Sequence, residues 1–185
     1  SKYYGEYPAV IDVSFNISKG ESIGLLGPNG AGKSTTMKVM TGYTPPTSGN
    51  VNIGGYDIIK NSIDARKLIG YLPESVPLYT DMTVKEYLSY MGSLRGMGKN
   101  ILNRVDEVID LTSLNQYKNV LISKLSKGYR QRTGIAQAIL HKPKILILDE
   151  PTIGIDPVQV VETRKLIQNL GEEHTLILSS HILPE

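Results

Sequence analysis

The residues with the clearest chemical potential form the run GPNGAGKST, Gly27 to Thr35. It fits the pattern G-x-x-x-x-G-K-S/T, directly after the apolar run SIGLLG and before a stretch with helical spacing. Gly27, Gly30 and Gly32, with Pro28, Asn29 and Ala31 between them, let the backbone turn tightly. Backbone N–H groups can then point inward and, with a helix N-terminus behind them, hold phosphate oxygens. Lys33 would reach the β- and γ-phosphates of a nucleotide, Ser34 offers a hydroxyl to Mg2+, and Thr35 can donate to a phosphate. The alternative is a glycine-rich strand-to-helix turn that binds nothing.

A second group lies in ILILDEPT, where Asp149 and Glu150 end an apolar run. The carboxyl end of a buried parallel strand is where ligands bind in open α/β sheets. There Asp149 would hold Mg2+ while Glu150 polarises an attacking water and takes its proton. Taken alone, the pair ahead of Pro151 reads equally well as a turn. Phosphoryl transfer needs both a cradle and a metal carboxylate, so the two segments support each other. A third segment, KLSKGYRQR at 124 to 132, carries four positive charges in nine positions. By residue type it could grip nucleic acid, present a solvated helix face, or hold a phosphate.

These groups need elements to position them. Apolar runs at 22 to 27, 144 to 149 and 175 to 180 predict buried strands of a largely parallel sheet. Weaker strand patterns lie at 9 to 17, 50 to 55 and 68 to 72, and helical spacing at 32 to 41, 83 to 94, 100 to 110, 127 to 141 and 158 to 170. Strands crowd both ends and helices fill the middle. An α/β core of residues 1–73 and 143–185 is therefore expected, with a helical lobe of residues 74–142 inserted in it. There is no internal repeat and no low-complexity tract.

The chain has 185 residues, enough for one domain with a sizeable core. Its 20 basic and 18 acidic residues leave a formal charge of +2, so no global field marks a polyanion binder. Absence of cysteine excludes disulfides and thiolate metal sites. No apolar run approaches the roughly 20 residues of a spanning helix, so membrane contact is expected to go through a partner.

The segment LSKGYRQR resembles the signature motif of ATP-binding cassette ATPases, usually LSGGQ followed by Gln-Arg. Leu125, Ser126, Gly128, Gln131 and Arg132 fit it, whereas Lys127 and Tyr129 depart. The resemblance implies that Ser126 and the N–H groups opening the next helix bind the γ-phosphate of ATP held by the opposite subunit. The ammonium of Lys127 would touch that phosphate or turn to solvent, which long lysine side chains prefer. Tyr4 of YYG resembles the aromatic that stacks on adenine, though it also reads as an ordinary surface tyrosine. Glu74 of GYLPE stands where the family usually has a metal-binding Gln. Asp156 of GID resembles the residue that crosses the dimer interface. His181 of SSH resembles the histidine that contacts the γ-phosphate and the catalytic Glu.

The fold implied is a P-loop NTPase core, RecA-like and α/β, with a mostly parallel sheet, an inserted α-helical subdomain and an N-terminal antiparallel β portion. The activity implied is ATP hydrolysis with Glu150, His181 and Lys33 as catalytic groups, ATP and Mg2+ as cofactors, and Ser34, Glu74 and Asp149 as metal ligands. The partners implied are a transmembrane permease subunit and, in the ATP-bound state, a second ATPase subunit in a head-to-tail dimer. No nucleic acid is expected. The place implied is cytoplasmic, peripheral on the inner face of the cell membrane. The wording of IGYLPESVPLYTDMTVKEYL is most similar to ATPase subunits of ABC-2 type exporters. A soluble cassette ATPase acting on nucleic acid or ribosomes is the rival; the long insertions and tandem cassettes of such proteins do not occur in this sequence. Measured against the family's pattern, the chain is expected to be trimmed at both ends.

Overall fold

A computed structural model describes residues 1–180 of the chain. Two antiparallel pairs flank the first third: β1 (Lys2–Tyr4) with β2 (Tyr7–Val10), and β4 (Asn52–Ile53) with β5 (Tyr56–Asp57). The central sheet contains β3 (Ser22–Leu26), β6 (Ile69–Leu72), β7 (Ile145–Leu148) and β8 (Thr175–Ser180). All its pairings are parallel, in the order β3-β8-β7-β6. The helices are α1 (Lys33–Met40), α2 (Ser62–Lys67), α3 (Val84–Leu94), α4 (Ile101–Leu111), α5 (Lys127–Ile139) and α6 (Pro157–Glu173). The expected α/β fold with a parallel sheet and an N-terminal antiparallel portion is thus observed.

Burial on both faces explains why β7 reads as an unbroken apolar run. Successive side chains of a strand point to opposite faces. Leu146 and Leu148 accordingly join the core beneath α3, α4 and α5, together with Leu72, Leu88, Ile109 and Ile135. Ile145 and Ile147 turn the other way and pack with Met37, Met40, Ile69 and Ile177 under α1.

The strand expected over 9 to 17 stops at Val10. At Asp12 the backbone enters the left-handed region, φ +48, and its N–H donates to Ser1 Oγ at 3.0 Å. An alternating apolar pattern needs a paired neighbour to become a strand, and among the described residues 11 to 17 find none. Ile11, Val13 and Phe15 consequently stay exposed. The short helix α2, unpredicted from the sequence, follows β5.

Two local features set the direction of the helices beyond β6. Thr83 caps α3 through a reciprocal box: its hydroxyl accepts from Glu86 N–H at 3.3 Å, and Glu86 Oε2 accepts from Thr83 N–H at 2.8 Å. Gly70 in β6 lets α5 lie against the sheet, since a Cβ there would overlap the carbonyl oxygen of Ala138 and sit 2.9 Å from Pro143 Cγ. Backbone cannot yield as a flexible side-chain tip can. Gly70→Ala should therefore destabilise the fold by about 2–3 kcal/mol, measured by urea denaturation.

Candidate functional site

The parallel order decides which chain ends meet. β8 lies between β3 and β7, so the loop after β3 and the acidic residues after β7 flank the carboxyl end of β8. In the loop, Gly30 (φ +84) and Gly32 (φ +89) occupy the left-handed region that favours glycine. Gly32 is also the N-cap of α1 and supplies no side-chain acceptor. The first-turn N–H groups there have the arrangement that receives anions. A Cβ on Gly32 would lie 2.5 Å from Ala9 O, so the β1–β2 hairpin presses directly on the loop.

Lys33 folds back across this loop. Its Nζ donates to Gly27 O at 2.6 Å and Pro28 O at 3.3 Å, and stands 3.4 Å from Glu150 Oε1. Pro28, Asn29, Gly30 and Ala31 are exposed, whereas Ser34 and Thr35 are half-buried. The loop is closed from within by Ala31 N–H, which donates to Pro28 O at 3.2 Å.

Asp149 and Glu150 are 1% and 5% exposed. Asp149 N–H is held by Leu72 O at 2.8 Å, fixing the carboxylate beside β6. Two hydroxyls converge on Asp149 Oδ1: Ser34 Oγ donates at 3.1 Å and Ser179 Oγ at 2.6 Å. Ser179 Oγ also accepts from Glu150 N–H at 2.9 Å, and Glu150 adopts φ +47. Asp149 Oδ2 is buried and has no hydrogen-bond partner among the described residues.

That orphaned oxygen beside a serine hydroxyl fits Mg2+, which takes one or two carboxylates and fills its octahedron with water and phosphate oxygens. Among the described residues there is no cluster of three or more acidic or histidine side chains able to cage a metal. Glu74 is exposed just beyond β6 and makes no hydrogen bond or ion pair among the described residues. It nevertheless acts on the same corner. Burial chiefly, then the Asp149 carboxylate, the neighbouring Tyr43 phenol and the Glu74 carboxylate, hold the Tyr71 phenol above the usual tyrosine range.

The segment around Ser126 forms a separate surface. Ser126 is the exposed N-cap of α5, and its Oγ accepts from Tyr129 N–H and from Gln159 Nε2, both at 3.5 Å. Leu125 is buried in the core below α3 to α5 and anchors the turn. Gly128 packs so closely on Gln159 that a Cβ would overlap the amide oxygen. The Lys127 ammonium rests over Gly154, whose φ is +65. Asp156 caps α6 by accepting from Gln159 N–H at 3.0 Å. Residues 126–128 and 154–159 therefore share one face. Among the described residues, the hydrogen-bond partners of Ser126 include none from the phosphate loop.

Tyr4 is 47% exposed on the hairpin, with Lys2 Nζ 5.1 Å from its ring centroid. His181 lies outside the described residues. Two participants were missed in the sequence. Ser179 had a usable signal: it follows Leu178, whose register partner is Leu148, so it must flank Asp149. Gln159 had none, because its contact with Gly128 arises from helix packing.

The sequence profile of the family described as ABC transporter matches residues 10–153. The bacitracin transport ATP-binding protein BcrA of Bacillus licheniformis is 40% identical over 187 residues, spanning 100% of this chain and 60% of that protein. The linearmycin resistance ATP-binding protein LnrL of Bacillus subtilis is 40% identical over 188 residues with the same coverage. The chain thus spans about 60% of the length of these curated relatives. Among solved structures, a dimeric post-hydrolysis state of the ATP-binding cassette MJ0796 bound to ADP and Pi superposes with a TM-score of 0.84 at 26% identity, covering 95% of this chain and 81% of that one.

Ser179 supports two backbone-linked carboxylates at once. Ser179→Ala removes an acceptor from the Glu150 N–H and a donor from Asp149. It should cost about 1–3 kcal/mol in denaturant unfolding, whereas Ser179→Thr, which keeps the hydroxyl, should recover most of the loss.

Proposed function

The chain belongs to the ABC transporter family, and from that premise we propose that it is the ATP-hydrolysing part of a transporter's nucleotide-binding subunit. One observation carries the reading. Ser34 of the phosphate loop and Asp149 of the acidic strand end are already hydrogen-bonded, and Lys33 bridges the same loop to Glu150. Cradle, metal carboxylate and general base are therefore within one side-chain length of each other.

In this reading the N–H groups of residues 27–35 wrap the phosphates and Lys33 exchanges its present carbonyl and Glu150 contacts for β- and γ-phosphate oxygens. Ser34, Asp149 and Glu74 would hold Mg2+, which would supply positive charge to offset the negative charge that develops on the departing ADP. Glu150 accepts the proton of the attacking water. His181 is assigned to the γ-phosphate and Tyr4 to the adenine ring. Leu125, Ser126, Lys127 and Gly128 present the start of α5 to ATP on the opposite subunit, and Asp156 lies at the shared interface. A core of residues 1–73 and 143–185 and a helical lobe of residues 74–142 divide these tasks.

Hydrolysis removes the phosphate that bridges two subunits, so the head-to-tail dimer loosens and a membrane permease docked on the lobe near residues 74 to 95 is moved. Relatives named for bacitracin transport and linearmycin resistance favour an exporter. Among the described residues no helix is long and apolar enough to cross a membrane. That fits a subunit held at the inner face by its permease.

The full-length subunit carrying Glu150→Gln should dimerise when ATP and Mg2+ are added, as read by light scattering. A folded, ATP-binding protein that stays strictly monomeric would overturn the reading. Ser126→Arg should abolish hydrolysis while leaving the monomer's affinity for ATP within about twofold; a collapse of that affinity would place Ser126 in its own chain's site instead.

A further inference from the structure

Tyr129 stands at the third position of α5, where the usual signature carries Gln. A Glu or Gln at that position can return a hydrogen bond to the N-cap backbone, as Glu86 does for Thr83 in α3. A phenol cannot accept from that N–H in the same geometry. The Tyr129 ring turns away instead and stacks on Tyr117, with centroids 4.0 Å apart and planes inclined by 35°. Near the same ring lies the Arg132 guanidinium, 5.7 Å from its centroid.

Tyr117 belongs to a separate turn, and Arg132, on α5 itself, is tied to α6. Tyr117 ends a single 3-10 turn, Asn115–Tyr117, after α4; its N–H donates at 2.9 Å to the carbonyl of the fully buried Leu114. Arg132 is 4% exposed and ion-paired with Glu162 of α6. The adjacent Tyr117 phenol, followed by burial, holds the Tyr129 phenol above the ordinary tyrosine range. The ring thus joins the turn after α4 to the first turn of α5, and Arg132, one turn further along the same helix, carries the link to α6 through Glu162. Aromatic stacks and guanidinium–ring contacts constrain orientation as well as distance.

We propose that Tyr129 is a positioning residue for the cross-subunit phosphate site: clasped by Tyr117 and Arg132, its ring sets the direction in which α5 presents Ser126 to a nucleotide on the opposite subunit. This rests on the cassette reading above and adds a residue to it. Among the described residues the Ser126 hydroxyl is held only through the two contacts at 3.5 Å, so it is the helix, and not a tight cap, that aims it.

The test uses the full-length subunit in a Glu150→Gln background. The ATP concentration that gives half-maximal dimer is read by light scattering, and the monomer's ATP affinity by fluorescence titration. Tyr129→Leu, which keeps apolar volume without the stack, should raise the dimerisation midpoint roughly tenfold. Monomer affinity should stay within about twofold, because the phosphate loop is untouched. Tyr129→Phe should restore the midpoint. Tyr117→Leu, entering from the other side of the stack, should reproduce the defect, and the double variant should be no worse than either single one. The proposal is overturned if Tyr129→Leu dimerises at the parent's midpoint, if the two leucine effects add, or if monomer affinity falls in parallel with dimerisation. Should Tyr129→Leu not fold, Tyr117→Leu decides by the same criteria. If the Glu150→Gln parent itself stays monomeric, the cassette reading fails and this proposal falls with it; a dimerising parent with an unaffected Tyr129→Leu removes this proposal alone.

Discussion

The site is organised around a buried carboxylate that no Lys or Arg among the described residues reaches. Asp149 is 1% exposed and, among the described residues, receives two serine hydroxyls on one oxygen and no hydrogen bond on the other. A buried charge left in that state is costly to the fold. The cost is tolerable because neighbouring hydroxyls stabilise the anion and because a bound cation can complete it. Any ligand that brings positive charge to Asp149 Oδ2 therefore binds the folded state selectively and stabilises it. The same reasoning accounts for Lys33, whose ammonium is satisfied by two backbone carbonyls and Glu150.

That carboxylate is placed by strand order. Because β8 separates β3 from β7, its final residues can support both neighbours, and Ser179 reaches Asp149 and the Glu150 backbone together. Helix α5 is placed by close contact in the same sheet. Gly70 admits the end of α5 onto β6, and Gly134 meets Leu72 and Val76 where a Cβ would lie only 2.5 Å and 2.7 Å from their methyl carbons. A helix seated this closely can turn as a body but cannot shift locally. That packing fixes the body of α5 on the sheet, and the Tyr117–Tyr129 contact lies at its first turn beside Ser126.

How much of this was legible followed from the range of the interaction. The phosphate loop was readable because its requirements are local: glycines at positive φ, then a helix start. The buried strands were readable because two-sided burial leaves an unbroken apolar run. The segment 11 to 17 misled for the opposite reason, since alternation specifies a strand only when something pairs with it, and Asp12 turns the backbone away. Helix α2 is six residues long, too short to show a period. Ser179 was recoverable from parallel register. Gln159 and the Tyr117–Tyr129 stack were not, because they depend on how separate helices meet.

The surface shared by residues 126–128 and 154–159 bears on how two nucleotide sites could communicate. Gln159 donates to Ser126 through its side chain, packs on Gly128, and donates to Asp156 through its backbone. Lys127 meanwhile rests on Gly154. The residue assigned to the opposite subunit's phosphate and the loop assigned to the dimer interface are thus parts of one packed unit. A phosphate that drew Ser126 toward itself would carry Gln159, and with it the cap of α6. Conversely, a neighbour pressing on Asp156 would reorient the N-terminus of α5. On the proposed reading, phosphate capture and interface closure are then one rigid-body event, and loss of either contact releases both.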